Sequence, residues 1–195
     1  AVIWHPILER ASLSMNVLTT ALQHYETLAS QLLLYCLEHQ VESDLAWSSS
    51  PMSKNESKQR LVPEERTEQF AKQVVKLIGY GKGLTPDGDD YLLGYLAALS
   101  PWQLTPELLA HQNRLQSLIK PLLPRTTDIS RHYLNRALDG HFSQPVSMLQ
   151  QQLTSQAPTA AVINAAEQVM QFGASSGVDC LAGMLHGLRS LKAAL

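Results

Sequence analysis

The sequence has few of the features that crosslink a small fold or carry a chain into a membrane. It contains two cysteines, Cys36 and Cys180, each in an apolar helical context. This is neither a disulfide framework nor a zinc-binding pattern, and it fits a reducing compartment. No apolar run reaches the roughly 18 residues that a membrane span needs, and no secretory signal pattern is present. We therefore expect a cytoplasmic protein with no membrane partner.

An excess of positive charge is also missing. The chain carries 15 lysines and arginines against 17 acidic residues, for a formal net charge of −2. Proteins that bind nucleic acid concentrate basic residues on one face, so nucleic acid is not an expected partner. The seven histidines are scattered, and no pair has metal-ligand spacing near a carboxylate. A zinc site is therefore not expected.

Strand-like alternation is scarce, and helical periodicity dominates the chain. Residues 1–41 are predicted to form an N-terminal helical segment. Residues 42–63 are rich in Ser, Lys and Glu and are predicted to be a flexible loop or linker, with a site lid as the alternative. Residues 64–195 show repeated helix starts and stops and are predicted to be a helical core that carries the motif loops. The fold prediction is all-α: a single helical domain of about eight helices.

The segment "GYGKGLTPDGDDYLLGYLAAL", residues 79–99, is echoed later in the chain. Gly88–Leu99 and Gly177–Leu188 share the pattern G-x-D-x-L-x-G-x-L-x-x-L, which predicts two loop-to-helix units of the same geometry. Glycine inside a helix costs about 1 kcal/mol relative to alanine, and close helix crossing is the usual reason. We expect the two helices to cross at Gly94 and Gly183, with their glycine-rich loops packed side by side.

Aspartates in both units permit more than one interpretation. Asp90 and Asp179 fall in first helical turns, where carboxylates meet free N–H groups. Turn and cap chemistry explains either motif alone. The pair favours a polar site at two helix N-termini, which attract anions. Carboxylates oppose an anion unless Mg²⁺ bridges them, so either a metal-bridged phosphate or a neutral, amide-bearing ligand is predicted.

Asp87, Asp89 and Asp90 cannot all cap one helix, so at least one should point elsewhere. The catalytic candidates are Asp89, Asp90 and Thr85, and the candidate metal ligands are Asp89 and Asp90. A third polar cluster, "PRTTDISRHYLNRALDGHF", opens a helix whose expected cap is Asp128 and whose basic residues are interpreted as a solvated face. The ligand-binding candidates are Lys82, Gly83, Asp87, Arg125, Thr126, Thr127, Ser130, Ser175, Ser176 and Asp179.

Three segments resemble, in the same order, the AllH-like subunit family of oxamate carbamoyltransferase. They are "GKGLTPDGDDYLLGYLAAL", "TTDISRHYLNRALDGHF" and "GASSGVDCLAGMLHGL". The resemblance covers about residues 79–188, and its first motif is long and specific. Members of that family often have more chain at the N-terminus, and this sequence begins at Ala1, which fits a fragment.

The resemblance implies a part in allantoin catabolism: phosphorolysis of oxalurate to oxamate and carbamoyl phosphate, with companion subunits. Carbamoyl transfer needs donors on a developing oxyanion and positive charge on a phosphate. The loop hydroxyls could supply the donors, and Arg125, Lys82 or Mg²⁺ the charge. Two alternatives stay open. A non-catalytic scaffold or ligand-binding subunit predicts loops closed by their own capping bonds, without a cavity. A free-standing Mg²⁺-dependent enzyme would act on phosphorylated substrates.

Overall fold

The computed structural model describes residues 71–101, 106–155 and 157–194. Residues 71–77 form helix α1. The remaining α-helices are α2 (Asp87–Leu99), α3 (Pro106–Ile119), α4 (Asp128–Leu138), α5 (Gln144–Thr154), α6 (Thr159–Met170) and α7 (Ser176–Ala194), and a 3-10 helix, Lys120–Arg125, joins α3 to α4. The described residues contain no strand, so the predicted all-α class is confirmed.

The predicted segments 1–41 and 42–63 lie outside the described residues, as do residues 64–70 of the predicted core. Among the helices of the described part, none combines the length and apolar character that crossing a membrane requires.

Helix ends follow local backbone chemistry. Gly79, Gly140 and Gly173 follow α1, α4 and α6 with φ of 75°, 80° and 67°, the left-handed conformation that glycine adopts at helix C-termini. The predicted start of α4 was wrong by one residue. Thr127 is the N-cap, and its hydroxyl accepts the Ser130 N–H at 3.1 Å; a threonine in extended backbone places its oxygen over the first turn.

Helices α2 and α7 cross in direct backbone contact, as predicted from the two interior glycines. A Cβ on Gly94 would overlap the carbonyl oxygen of Cys180, and a Cβ on Gly183 would overlap that of Tyr91. The relation is reciprocal. Each carbonyl belongs to the residue three positions before its own helix's interior glycine. Gly187 continues this surface, since its Cβ would lie 2.5 Å from the Ala98 Cβ.

The correspondence extends to the helices that precede α2 and α7. A Cβ on Gly88 would overlap the carbonyl of Leu77 in α1, and a Cβ on Gly177 would overlap that of Val169 in α6. The Gly88 N–H donates to the Tyr80 carbonyl at 2.9 Å, just as the Gly177 N–H donates to that of Phe172 at 3.0 Å. The pairs α1–α2 and α6–α7 therefore share these two backbone contacts, although the connection from Leu77 to Gly88 is three residues longer than that from Val169 to Gly177.

A small polar network lies within the apolar core around this crossing. The Tyr91 hydroxyl lies 2.8 Å from His186 Nδ1, and the Tyr95 hydroxyl lies 3.0 Å from His111 Nε2. Burial lowers the pKa of both histidines to about 4, with nearby arginine charge adding to the shift. The imidazoles are therefore neutral at pH 7, and these bonds connect α2 to α3 and α7.

Candidate functional site

The two glycine-containing loops meet at the N-terminal ends of α2 and α7. The hydroxyl oxygens of Thr85 and Ser176 lie 2.9 Å apart, and the Ser175 hydroxyl donates to Asp87 Oδ1 at 3.4 Å. These contacts join residues about 90 positions apart in the chain. They bring the predicted residues Thr85, Asp87, Ser175 and Ser176 together.

Asp89 holds the first loop in place. It is 2% exposed, its Oδ1 accepts the Gly79 N–H at 2.9 Å, and its Oδ2 accepts the Thr126 hydroxyl. The Thr127 hydroxyl donates to the Leu84 carbonyl and adds a second tie to the start of α4. Both Asp89 oxygens are thus engaged in holding the 79–86 loop against that helix, and this gives Asp89 a structural explanation.

Asp90 and Asp179 are buried without that kind of support. They are 8% and 0% exposed, and Asp90 Oδ2 and both Asp179 oxygens have no hydrogen-bond partner among the described residues. This differs from the expectation that both carboxylates bind free N–H groups of the first turns. A buried polar group without a partner costs about 1–3 kcal/mol, so the two carboxyls need an explanation beyond folding.

Burial is the main influence on the pKa of the Asp90 carboxyl. It raises the pKa of this carboxyl from 3.8 to about 7. The hydroxyls of Ser176 and Thr85 favour the charged form and act against that rise, whereas the charges of Asp89 and Asp87 add to it. Near pH 7 the folded protein therefore contains both the protonated and the ionised carboxyl, as a group that gives and takes a proton requires.

Asp179, the counterpart of Asp90 in the second unit, behaves in the same way. Its pKa is raised to about 7, mainly by burial and then by the Asp87 charge, whereas the Ser175 hydroxyl acts against the rise. The unfolded chain loses this proton near pH 4 and the folded protein near pH 7, so ionisation destabilises the fold as the pH rises between those values. One pKa unit corresponds to about 1.4 kcal/mol, which places the effect at a few kcal/mol by pH 8.

Relative to the wild type, Asp179→Asn is therefore expected to gain about 2–3 kcal/mol of stability between pH 5 and pH 8. The measurement is urea denaturation at the two pH values. Asp128→Asn is the matched control, because the Asp128 side chain is 93% exposed and its variant should follow the wild-type pH dependence. If Asp179→Asn gained no stability relative to the wild type between pH 5 and pH 8, the ionised Asp179 carboxylate would not be the destabilising buried charge that we infer.

Asp90 opens onto a cleft of about 250 Å³ that helices α2, α4, α5, α6 and α7 or their flanking residues line. One wall carries Thr85, Asp90 and Ser176. Another, from α4 and the residues after it, carries His132, Arg136 and His141. Among the described residues that line the cleft, Asp90 is the one acid. The rest of the lining is largely apolar and includes Leu93, Tyr133, Phe142, Val146, Val169 and Phe172.

Several predicted residues lie away from this cleft. Lys82 and Gly83 are exposed in the first loop, and Arg125 is exposed at the end of the 3-10 helix. None of the three lines the cleft. Ser130 is buried in the first turn of α4, and its hydroxyl has no partner among the described residues. The cationic groups expected from the sequence are thus not those that line the cleft with Asp90.

The cleft is instead lined by His132 and Arg136, exposed residues that the sequence suggested were part of a solvated face. His132 and Arg136 are four positions apart on α4 and so share one face. Arg131 differs, because its guanidinium pairs with Asp128 at 3.2 Å and its Nε donates to the Leu123 carbonyl. The available signal was the basic character of α4, but nothing local distinguishes Arg131 from Arg136.

Asp89 and Asp90, the candidate Mg²⁺ ligands, are not joined by a third possible metal ligand among the described residues. Within residues 71–101, 106–155 and 157–194, no three His, Cys, Asp or Glu side chains come together in a group suited to a metal ion. Asp89 is also committed to the loop, as described above. The magnesium hypothesis therefore has no support from the geometry of the described residues.

Comparison with known proteins bears on the same region. A family model described as oxamate carbamoyltransferase subunit AllH matches residues 77–188, more than half of the 195 residues. The matched range runs from the end of α1 into α7 and contains every residue named above as lining the cleft. No curated protein and no solved structure matches the chain.

Proposed function

The chain belongs to the AllH family of oxamate carbamoyltransferase subunits, and we propose that it acts with companion subunits in carbamoyl transfer and binds the small substrate in the cleft at Asp90. The reaction is the phosphorolysis of oxalurate to oxamate and carbamoyl phosphate. The observation that carries this proposal is Asp90, a buried carboxyl that lines the cleft with one oxygen unpartnered among the described residues.

The size and chemistry of the cleft support a small, polar ligand. Its volume of about 250 Å³ lies below the roughly 300–1,000 Å³ typical of pockets for drug-sized molecules. Oxamate and oxalurate are short molecules with a carboxylate at one end and amide N–H groups at the other. Asp90 accepts from an N–H group when ionised and donates when protonated, while the Thr85 and Ser176 hydroxyls do either.

The proton balance of the reaction suits Asp90. An oxygen of hydrogen phosphate attacks the terminal carbamoyl carbon of oxalurate, and the bond from that carbon to the nitrogen of the oxamate part breaks. The nitrogen must gain a proton as it leaves, and protonated Asp90 supplies it. The ionised carboxyl then takes up the proton that phosphate brought. With a pKa of about 7, Asp90 is matched to both steps at neutral pH.

The scaffold alternative is less well supported. It predicts loops closed by their own capping bonds, with no cavity. The first loop is held by hydrogen bonds to Asp89, as the scaffold alternative predicts, but the described residues also leave a cleft that Asp90 lines. Ligand binding therefore explains more of the observed features.

The test is an assay of carbamoyl phosphate formation from oxalurate and phosphate by the full chain in complex with its companion subunits. Thr85→Val keeps the side-chain shape but removes the hydroxyl beside Asp90, so we expect a roughly 10- to 100-fold fall in kcat/KM, as for the loss of a hydrogen bond worth about 1–3 kcal/mol.

Thr154→Val is the matched control, because the Thr154 hydroxyl bonds only locally, to the Gln150 and Gln151 carbonyls at the exposed end of α5. It should leave the rate unchanged. Equal activity of the two variants would contradict a role for the cleft, and full activity of the companion subunits alone would contradict the function.

A further inference from the structure

The turn that ends α4 places an arginine and a histidine on the lining of the cleft. Gly140, with φ of 80°, reverses the chain. The His141 N–H then donates to the Arg136 carbonyl at 2.9 Å, and the Gly140 N–H donates to that of Ala137 at 3.0 Å. This is the Schellman arrangement, in which the residues at the positions of Arg136 and His141 usually make an apolar contact.

A basic pair at these positions is unusual and needs a reason. The negative end of the α4 dipole favours cations there, but that effect does not explain why both side chains line the cleft. Arg136 has no ion-pair partner among the described residues, in contrast to Arg131, which pairs with Asp128. His132 lies one helical turn from Arg136 on the same wall. Three basic side chains thus border one part of the cleft without a carboxylate of their own.

The cleft therefore has an acidic residue on one wall and basic residues on another. Asp90 is the one acid among its described lining residues and stands with two hydroxyls, whereas the basic groups come from α4 and the turn after it. A simple anion would be repelled by ionised Asp90, and a simple cation by Arg136. A ligand with an oxyanion at one end and N–H groups at the other satisfies both walls.

We propose that His132, Arg136 and His141 form an oxyanion subsite, so that a bound ligand lies with its phosphate or carboxylate at Arg136 and its N–H end at Asp90. This assignment rests on the proposed function for the identity of the ligand. Arginine suits the role because its planar guanidinium binds carboxylate and phosphate through two parallel hydrogen bonds. Arg136 would then fix which end of the substrate faces the proton-holding carboxyl.

The experiment measures binding to the full chain without turnover. Inorganic phosphate and oxamate are titrated separately by calorimetry and by NMR of the histidine side chains. The proteins compared are the wild type, Arg136→Gln and the matched control Arg131→Gln, with thermal melts to establish that each variant is folded. His141→Ala is a second variant that removes one imidazole ring and leaves the backbone N–H bond of the turn in place.

We expect Arg136→Gln to weaken binding at least tenfold, His141→Ala to weaken it by a smaller factor, and Arg131→Gln to bind as the wild type does. A loss confined to phosphate assigns the subsite to the phosphoryl end, and a loss confined to oxamate assigns it to the carboxylate end. Unchanged affinity of Arg136→Gln for both anions would overturn the proposal, as would an equal loss in Arg131→Gln. Arg136-dependent anion binding in a complex with no transfer activity would refute the proposed function alone.

Discussion

Alanine at Gly183 is expected to destabilise the protein by more than about 3 kcal/mol. The new Cβ would overlap the carbonyl oxygen of Tyr91, a backbone atom of α2 that cannot turn aside. Overpacking against side chains costs about 1–3 kcal/mol, and here two helix backbones would have to separate. The gain in helix propensity, about 1 kcal/mol, does not offset this. Urea denaturation followed by circular dichroism measures the effect.

The reciprocal contact provides an internal comparison. Gly94→Ala should be as damaging as Gly183→Ala, because its Cβ would overlap the Cys180 carbonyl in the same manner. Gln151→Ala, at an exposed position of α5, is the control for substitution to alanine within a helix and should be close to neutral. If either glycine variant unfolds at the same urea concentration as the wild type, the backbone crossing is not what requires glycine at these positions.

Asp90→Asn is expected to lower kcat of the reconstituted complex by about 10²–10⁴-fold, the range typical of losing a general acid or base. Asparagine has nearly the same shape but neither gives nor takes a proton near neutral pH. It also removes a buried ionisable group, so the folded state should be at least as stable at pH 8 as the wild type. Activity and stability would therefore change in opposite directions, which separates a chemical defect from unfolding.

The pH dependence provides an independent measurement. In the wild type, kcat/KM should change around pH 7 as Asp90, whose pKa is about 7, titrates. That step should be smaller in the residual activity of Asp90→Asn, where Asp179 and the phosphate substrate still titrate in this range. A variant with wild-type kcat would remove Asp90 from the chemistry.

Asp89→Asn is the neighbouring comparison, because the two residues are adjacent but have different partners. Both Asp89 oxygens accept hydrogen bonds, from Gly79 and Thr126. An amide would present an NH₂ group to one of these donors, so this variant should lose stability whether or not it loses activity. If Asp89→Asn and Asp90→Asn had the same stability profile, the separate roles assigned to them would be wrong.

The sequence determined the helical class and the central crossing because both depend on local information. Apolar periodicity predicts helices directly. Glycine inside a helix carries a known cost, so its recurrence at Gly94 and Gly183 in two matching segments predicted where the helices touch. The start of α4 was misplaced by one residue, since Thr127 and Asp128 are both good cap residues and only the backbone conformation distinguishes them.

Tertiary contacts determine the different roles of the three aspartates. The sequence indicated that Asp87, Asp89 and Asp90 could not share one role. It did not indicate which role each has, because successive helical residues point about 100° apart and so meet different neighbours. Which of them meets a donor depends on where distant residues lie. Thr126 reaches Asp89, whereas no described donor reaches Asp90 Oδ2.

The same reason explains the positive wall of the cleft. Lys82 was predicted because it lies in the first glycine loop, and Arg125 because it precedes the polar start of α4. Arg136 and His141 instead reach the cleft through the packing of α4 and the turn after it. A sequence by itself determines how each segment folds and what it costs to place glycine or charge there. The chemistry of a site depends on which side chains from separate segments share one volume, and only the tertiary structure decides that, because burial and partners are properties of the packed chain.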